Sequence, residues 1–141
     1  KAGFTFSMQG GREDLKAEEI AAKQKASGFI PELNYKANGM TYELKGMENI
    51  NGQDCYVLYT TDGLAENYDY FSAQSLMKLR STSIRKVGEE TMETTTNYSD
   101  FKEVSGFKFA HAFSMTVGKM SLNGVVKSIE VNPKLVMTED F

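Results

Sequence analysis

A chain of 141 residues, 40% hydrophobic and 25% charged, is about one domain's worth and buries about two-thirds of the surface its unfolded form exposes. Its 16 basic and 19 acidic residues leave a formal charge of -3 without any Lys/Arg block, which excludes a nucleic-acid partner held by phosphate neutralisation. One His, one Cys and no Trp exclude an internal disulfide and most metal or nucleophile-base sites, while a single cysteine leaves the redox compartment open.

No apolar run approaches the ~20 residues that cross a bilayer, and no charged-then-apolar leader is present, so the chain is expected to be soluble rather than membrane-spanning. It starts at Lys1, and its first residues already alternate as a strand, Gly3 to Met8, with Phe4, Phe6 and Met8 on one face. That beginning reads as the C-terminal part of a longer precursor. After Gly10-Gly11 the segment from Glu13 to Ser27 is rich in Ala, Glu, Lys and Gln and predicts the chain's one helix, with Leu15, Ala22, Ala26 and Phe29 near one face. Gly28 suits its C-terminus, and Pro31 forbids its continuation.

Strands are predicted from there on. Met40 to Lys45 sets Met40, Tyr42 and Leu44 on one face, and Asn51-Gly52 is a two-residue hairpin signal before Cys55 to Thr61, which is apolar on both faces. Asp62-Gly63 opens a loop; Tyr68 to Phe71 and Leu76 to Ile84 follow, separated by a turn at Ala73-Gln74-Ser75. Thr91 to Tyr98 alternates threonines, which favour strand over helix. Ser105-Gly106 turns the chain into the longest strand, Phe107 to Val117, where Phe107, Phe109, His111, Phe113, Met115 and Val117 share one parity. Asn123-Gly124 predicts a last turn before a strand from Val125 to Val131, and Pro133 closes the regular structure. Eight or nine strands and one helix make an α+β fold, a single domain over residues 1–141 whose antiparallel sheet curls because flat open sheets of this size are uncommon.

The segments Pro31-Glu32-Leu33-Asn34-Tyr35, Glu43-Leu44-Lys45-Gly46, Asn51-Gly52-Gln53-Asp54-Cys55-Tyr56-Val57 and Tyr98 to His111, with the closing run Val125 to Pro133, resemble in order and spacing the C-terminal region of Bacteroidetes cell-envelope proteins related to the outer-membrane lipoprotein-sorting protein LolA. Similar segments occur at the C-terminus of some insulinase-type zinc metallopeptidases of the same bacteria. The resemblance covers about Gly10 to Phe141. It implies a strongly curved, incompletely closed antiparallel barrel with helix cover over an apolar cavity, in the periplasm or at the outer membrane, and as partner a lipid, a lipoprotein acyl chain or another envelope protein. Full-length carriers have more strand and helix at the N-terminus than this chain.

His111 lies in the apolar parity of a long strand and reads as structural, since no second His or Cys stands near it in sequence and carboxylates alone make poor zinc chemistry. No His-x-x-Glu-His is present, and Gly10-Gly11 is not followed by the Gly-Lys-Ser/Thr of a phosphate loop. Cys55 reads as a small hydrophobe, and the acidic runs Glu18-Glu19 and Glu89, Glu90, Glu93 as solvated surface. The expectation is therefore a non-enzyme with no cofactor, metal or catalytic residue. The 8 Met and 9 Phe are adaptable apolar material that also suits an ordinary core. Placed on a concave face, Tyr70, Met92, Phe109, Phe113 and Met115 would bind the apolar ligand. The alternative is a structural or interaction domain appended to a larger envelope protein.

Overall fold

A computed structural model describes residues 3–7, 11–17, 20, 33, 35–61, 63, 65–87 and 89–132. Nine strands run β1 Phe4–Ser7, β2 Gly11–Asp14, β3 Thr41–Ile50, β4 Gln53–Thr61, β5 Ala65–Ser72, β6 Lys78–Val87, β7 Glu90–Val104, β8 Phe107–Val117 and β9 Met120–Val125. The chain divides into two compact units, Lys1–Thr41 and Tyr42–Phe141. In the first, β1 and β2 form an antiparallel hairpin pairing Phe4 with Asp14, and the Arg12 guanidinium lies 4.2 Å from the centre of the Phe4 ring.

The predicted helix over Glu13 to Ser27 is corrected at its start. Glu13 and Asp14 belong to β2, where pairing with Thr5 and Phe4 overrides the helix preference of Glu13, and Asp14 has little such preference to override. Within that segment the described helical residues are Ala17 and Ile20, with the Ile20 N–H donating to Lys16 O at 3.0 Å. The rest of the predicted helix, and Met8 of the first strand, lie outside the described residues.

The second unit is one antiparallel meander in the order β3-β4-β5-β6-β7-β8-β9, an open sheet with β3 and β9 at its edges. Local chemistry fixes its turns. Asn51 and Gly52 have φ of 52° and 84°, and Ser105 and Gly106 53° and 83°, the double positive φ that matches the twist of a two-residue hairpin. At the β5–β6 turn the Ser72 hydroxyl accepts from the N–H groups of Gln74 and Ser75 at 3.3 and 3.2 Å. Leu76, expected to begin a strand, sits in that turn with φ 58°.

The last turn is also corrected. It falls at Gly118-Lys119, where Gly118 takes φ 55°, and β9 runs through Asn123-Gly124 instead of starting after it. Residues 126–130 form no strand, although Val126 N–H still donates to His111 O at 2.8 Å. Gly124 is a strand glycine for a packing reason: it pairs with Phe113, and a Cβ there would run into the Phe113 ring. Gly124→Ala is expected to cost about 1–3 kcal/mol through overpacking, recovered largely in the Gly124→Ala, Phe113→Leu double variant. Denaturant titration of the three proteins checks this.

Candidate functional site

Residues directly opposite in an antiparallel ladder share a face, so the register sorts the side chains. On one face Val57, Tyr70, Arg80, Asn97, Ser114 and Asn123 stand in a row across β4 to β9, and Tyr59, Tyr68, Thr82, Thr95, Thr116 and Ser121 form the next. On the other face the rows are Leu58, Asp69, Ser81, Thr96, Met115 and Leu122, then Tyr98, Phe113 and Gly124.

The sheet curls toward the first face. A depression of about 440 Å³ is lined both by Ile50 and Gln53, at the β3–β4 hairpin, and by Arg80, Asn97, Ser99 and Ser114 of β6, β7 and β8. At about 4.8 Å per strand, β3 and β8 would lie about 24 Å apart in a flat sheet, too far for Ile50 and Ser114 to line one hollow. A second depression, of about 650 Å³, opens along Thr61, Glu66, Ile84, Lys86 and Thr91. All five pair, as Thr61–Glu66, Glu66–Ile84 and Lys86–Thr91, in the parity of the first face.

The five residues expected to bind a ligand are divided by this geometry. Tyr70 stands on the concave face, whereas Met92, Phe109, Phe113 and Met115 share the outer face of β7 and β8. Parity showed that the last three belong together; it carries no sign of the direction of curl. Sequence reasoning missed Arg80, Asn97, Tyr59 and Tyr68. A bulge hides Arg80: Phe71 pairs with Lys78 and Tyr70 with Arg80, so Leu79 is the extra residue, and Lys78 and Arg80 emerge on opposite faces despite equal parity.

The concave face is chemically split. Its β4–β5 half is aromatic and aliphatic: Val57 is buried, the Tyr59 and Tyr68 rings lie 5.2 Å apart at 55°, and Ile84 is half-buried beyond them. Burial pushes the Tyr70 hydroxyl above its ordinary pKa, Glu48 adds to the rise and Arg80 opposes it, so at neutral pH this phenol is a donor. The β6–β9 half is a hydrogen-bonded ladder. Arg80 Nε donates to Asn97 Oδ1 at 2.7 Å, Asn97 Nδ2 donates to Ser114 Oγ at 3.3 Å, and the Thr82 and Thr95 hydroxyls are 3.0 Å apart.

The outer face is mixed: Asp69 is buried near its middle, while large apolar side chains stand exposed on it along β7 to β9. Met92, Phe107, Met120 and Leu122 are 46–77% exposed, and His111 is buried with Nδ1 3.0 Å from Phe109 O. Cys55 lies on β4, four strands from the β8 of His111 in the sheet order. Among the described residues no three His, Cys, Asp or Glu side chains are grouped to hold a metal ion, and no helix is long and apolar enough to cross a membrane.

Comparison with known proteins gives a fold. No family model matches the chain, and no curated protein matches it. A crystal structure of an outer membrane lipoprotein-sorting protein domain from Vibrio parahaemolyticus superposes with a TM-score of 0.63 at 16% identity, over 96% of this chain and 61% of that one. A DUF1329 family protein from Desulfovibrio piger superposes with a TM-score of 0.53 at 16% identity, over 82% of this chain and 51% of that one. The chain thus has a LolA-like fold and spans little more than half the length of these neighbours.

Proposed function

We propose that this chain is a non-enzymatic cell-envelope domain that holds an amphiphilic ligand, a lipid or lipoprotein acyl chain, against the concave face of its sheet, in the periplasm or at the outer membrane of a Bacteroidetes cell. One observation carries the reading: the concave face joins an aromatic-aliphatic half, Val57, Tyr59, Tyr68 and Tyr70, to a half made of hydrogen-bond donors, Arg80, Asn97 and Ser114. Hydrocarbon laid on the first half gains roughly 0.8 kcal/mol per sheltered CH₂, and a polar head finds partners on the second. The lipoprotein-sorting neighbour supports an envelope setting.

Uptake of a fluorescent fatty acid tests this. Tyr70→Asp, on the concave face, is expected to weaken uptake at least about tenfold, because a charge then faces hydrocarbon, whereas Phe113→Leu on the outer face leaves it unchanged. A folded Tyr70→Asp protein with native uptake rules out the concave site. Organic extraction of gently purified protein gives a second check, with a co-purified acyl chain as the expected result.

A second reading, an interaction domain appended to a larger envelope protein such as a peptidase, is favoured by the exposed apolar side chains of the outer face. On it, the exposed Met120 and Leu122 await a protein partner. Met120→Ser and Leu122→Ser are then expected to change stability by less than about 0.5 kcal/mol each while raising solubility. A larger loss by thermal melting shows that the isolated chain already covers this face.

A further inference from the structure

The concave depression of about 440 Å³ has a cationic residue, Arg80, on its lining. Arg80 is half-buried there, and its Nε is committed to Asn97 Oδ1 at 2.7 Å, which holds the guanidinium in one plane. The guanidinium also lies 6.0 Å from the centre of the Tyr70 ring. Among the described residues Arg80 forms no ion pair and its two terminal nitrogens make no hydrogen bond, so within that set their N–H groups remain donors. Glu48 and Glu93, which act electrostatically on Tyr70 beside it, make no hydrogen bond to Arg80 among those residues. Asn97 spends Nδ2 on Ser114 Oγ, leaving the Ser114 hydroxyl hydrogen as a further donor into the same hollow, with Ser99 also on its lining.

A guanidinium fixed through Nε and unpaired at its two terminal nitrogens is the geometry that grips two oxygens of one planar or tetrahedral anion. We infer that the Arg80–Asn97–Ser114 ladder is an anion site that takes a phosphate or carboxylate group. Resting on the amphiphile reading, the inference makes that group the ligand's head, with the acyl chain on the Val57, Tyr59, Tyr68 and Tyr70 half. Tyr70 joins the two, since it pairs with Val57 on one side and with Arg80 on the other.

Calorimetric titration with four probes tests it: palmitoyl lysophosphatidate, palmitate, neutral palmitoylglycerol and inorganic phosphate. Charge-assisted hydrogen bonds predict that the two anionic amphiphiles bind about tenfold to a hundredfold more tightly than palmitoylglycerol. Arg80→Gln is expected to erase that difference, with Arg80→Lys keeping part of it. Equal binding of anionic and neutral amphiphiles by the native protein overturns the anion site and leaves the amphiphile reading standing. Tight inorganic phosphate with no amphiphile binding does the reverse, identifying a free anion as the ligand. No binding of any probe overturns both. The comparison within the native protein decides the matter even where Arg80→Gln does not fold.

Discussion

Asp69→Ala is expected to destabilise the sheet by about 3 kcal/mol and lower its melting temperature by roughly 10 °C. Asp69 is 4% exposed at the centre of the outer face, between Leu58 of β4 and Ser81 of β6. Its Oδ2 lies 3.1 Å from Lys78 Nζ, whose ammonium is also 5.4 Å from the centre of the Phe71 ring. Removing the carboxylate leaves a half-buried cation against an aromatic ring with its anion gone. Because the Lys78 side chain retains 28% exposure, water relieves part of that loss, which keeps the cost at the low end for a broken buried pair. Asp69→Asn keeps the shape and a hydrogen-bonding oxygen, and is expected to cost about 1 kcal/mol. Replacing both partners, Asp69→Leu with Lys78→Met, puts apolar groups beside Leu58 and Phe71 and should restore most of the stability, since both desolvation penalties vanish together. Denaturant midpoints of the four proteins decide it: a double variant as unstable as Asp69→Ala shows that the pair itself was not the source of the loss.

The meander was legible because its signals are local. Asn51-Gly52 and Ser105-Gly106 take the positive φ values that their residue types allow, and the parity of Phe107 to Val117 depends on nothing outside β8. Errors arose where a local signal had a non-local cause. Asn123-Gly124 looks like a turn, yet its glycine answers to the Phe113 ring on the neighbouring strand, while Gly118 makes the turn five residues earlier with a less familiar partner, Lys119. Glu13 and Asp14 looked helical and were drawn into β2 by pairing with β1. The candidate site was half legible for the same reason. Alternation groups Phe109, Phe113 and Met115, but which face is concave depends on how the whole sheet curls. Arg80 was invisible because the bulge at Leu79 inverts the parity on which sequence reading relies.

Cys55 provides the second large effect, a thiol silenced by the fold. It is 0% exposed on β4, pairs with Ser72, and its Sγ lies 3.5 Å from Gln53 O. Reaction with a disulfide reagent at neutral pH therefore requires the β3–β4 hairpin to open, and the native rate is expected to fall below that of the denatured chain by roughly a thousandfold or more. Burial, the largest influence, pushes the thiol above its ordinary value of 9.0, against the lowering contributed by the hydrogen bond with the Ile50 backbone. A raised folded pKa fixes the sign of the linkage. Below the unfolded value both states keep the proton and the contribution to stability is whole; as pH rises past about 9 the unfolded chain loses its proton first, so stability declines until the folded thiol also ionises. Denaturant titration at about pH 7 and about pH 10 should show this decline for the native protein, and Cys55→Ala should remove the part of it that belongs to the thiol. A native labelling rate within about tenfold of the denatured one places the opening of this hairpin far below global unfolding in free energy, and excludes Cys55 from the stable part of the sheet.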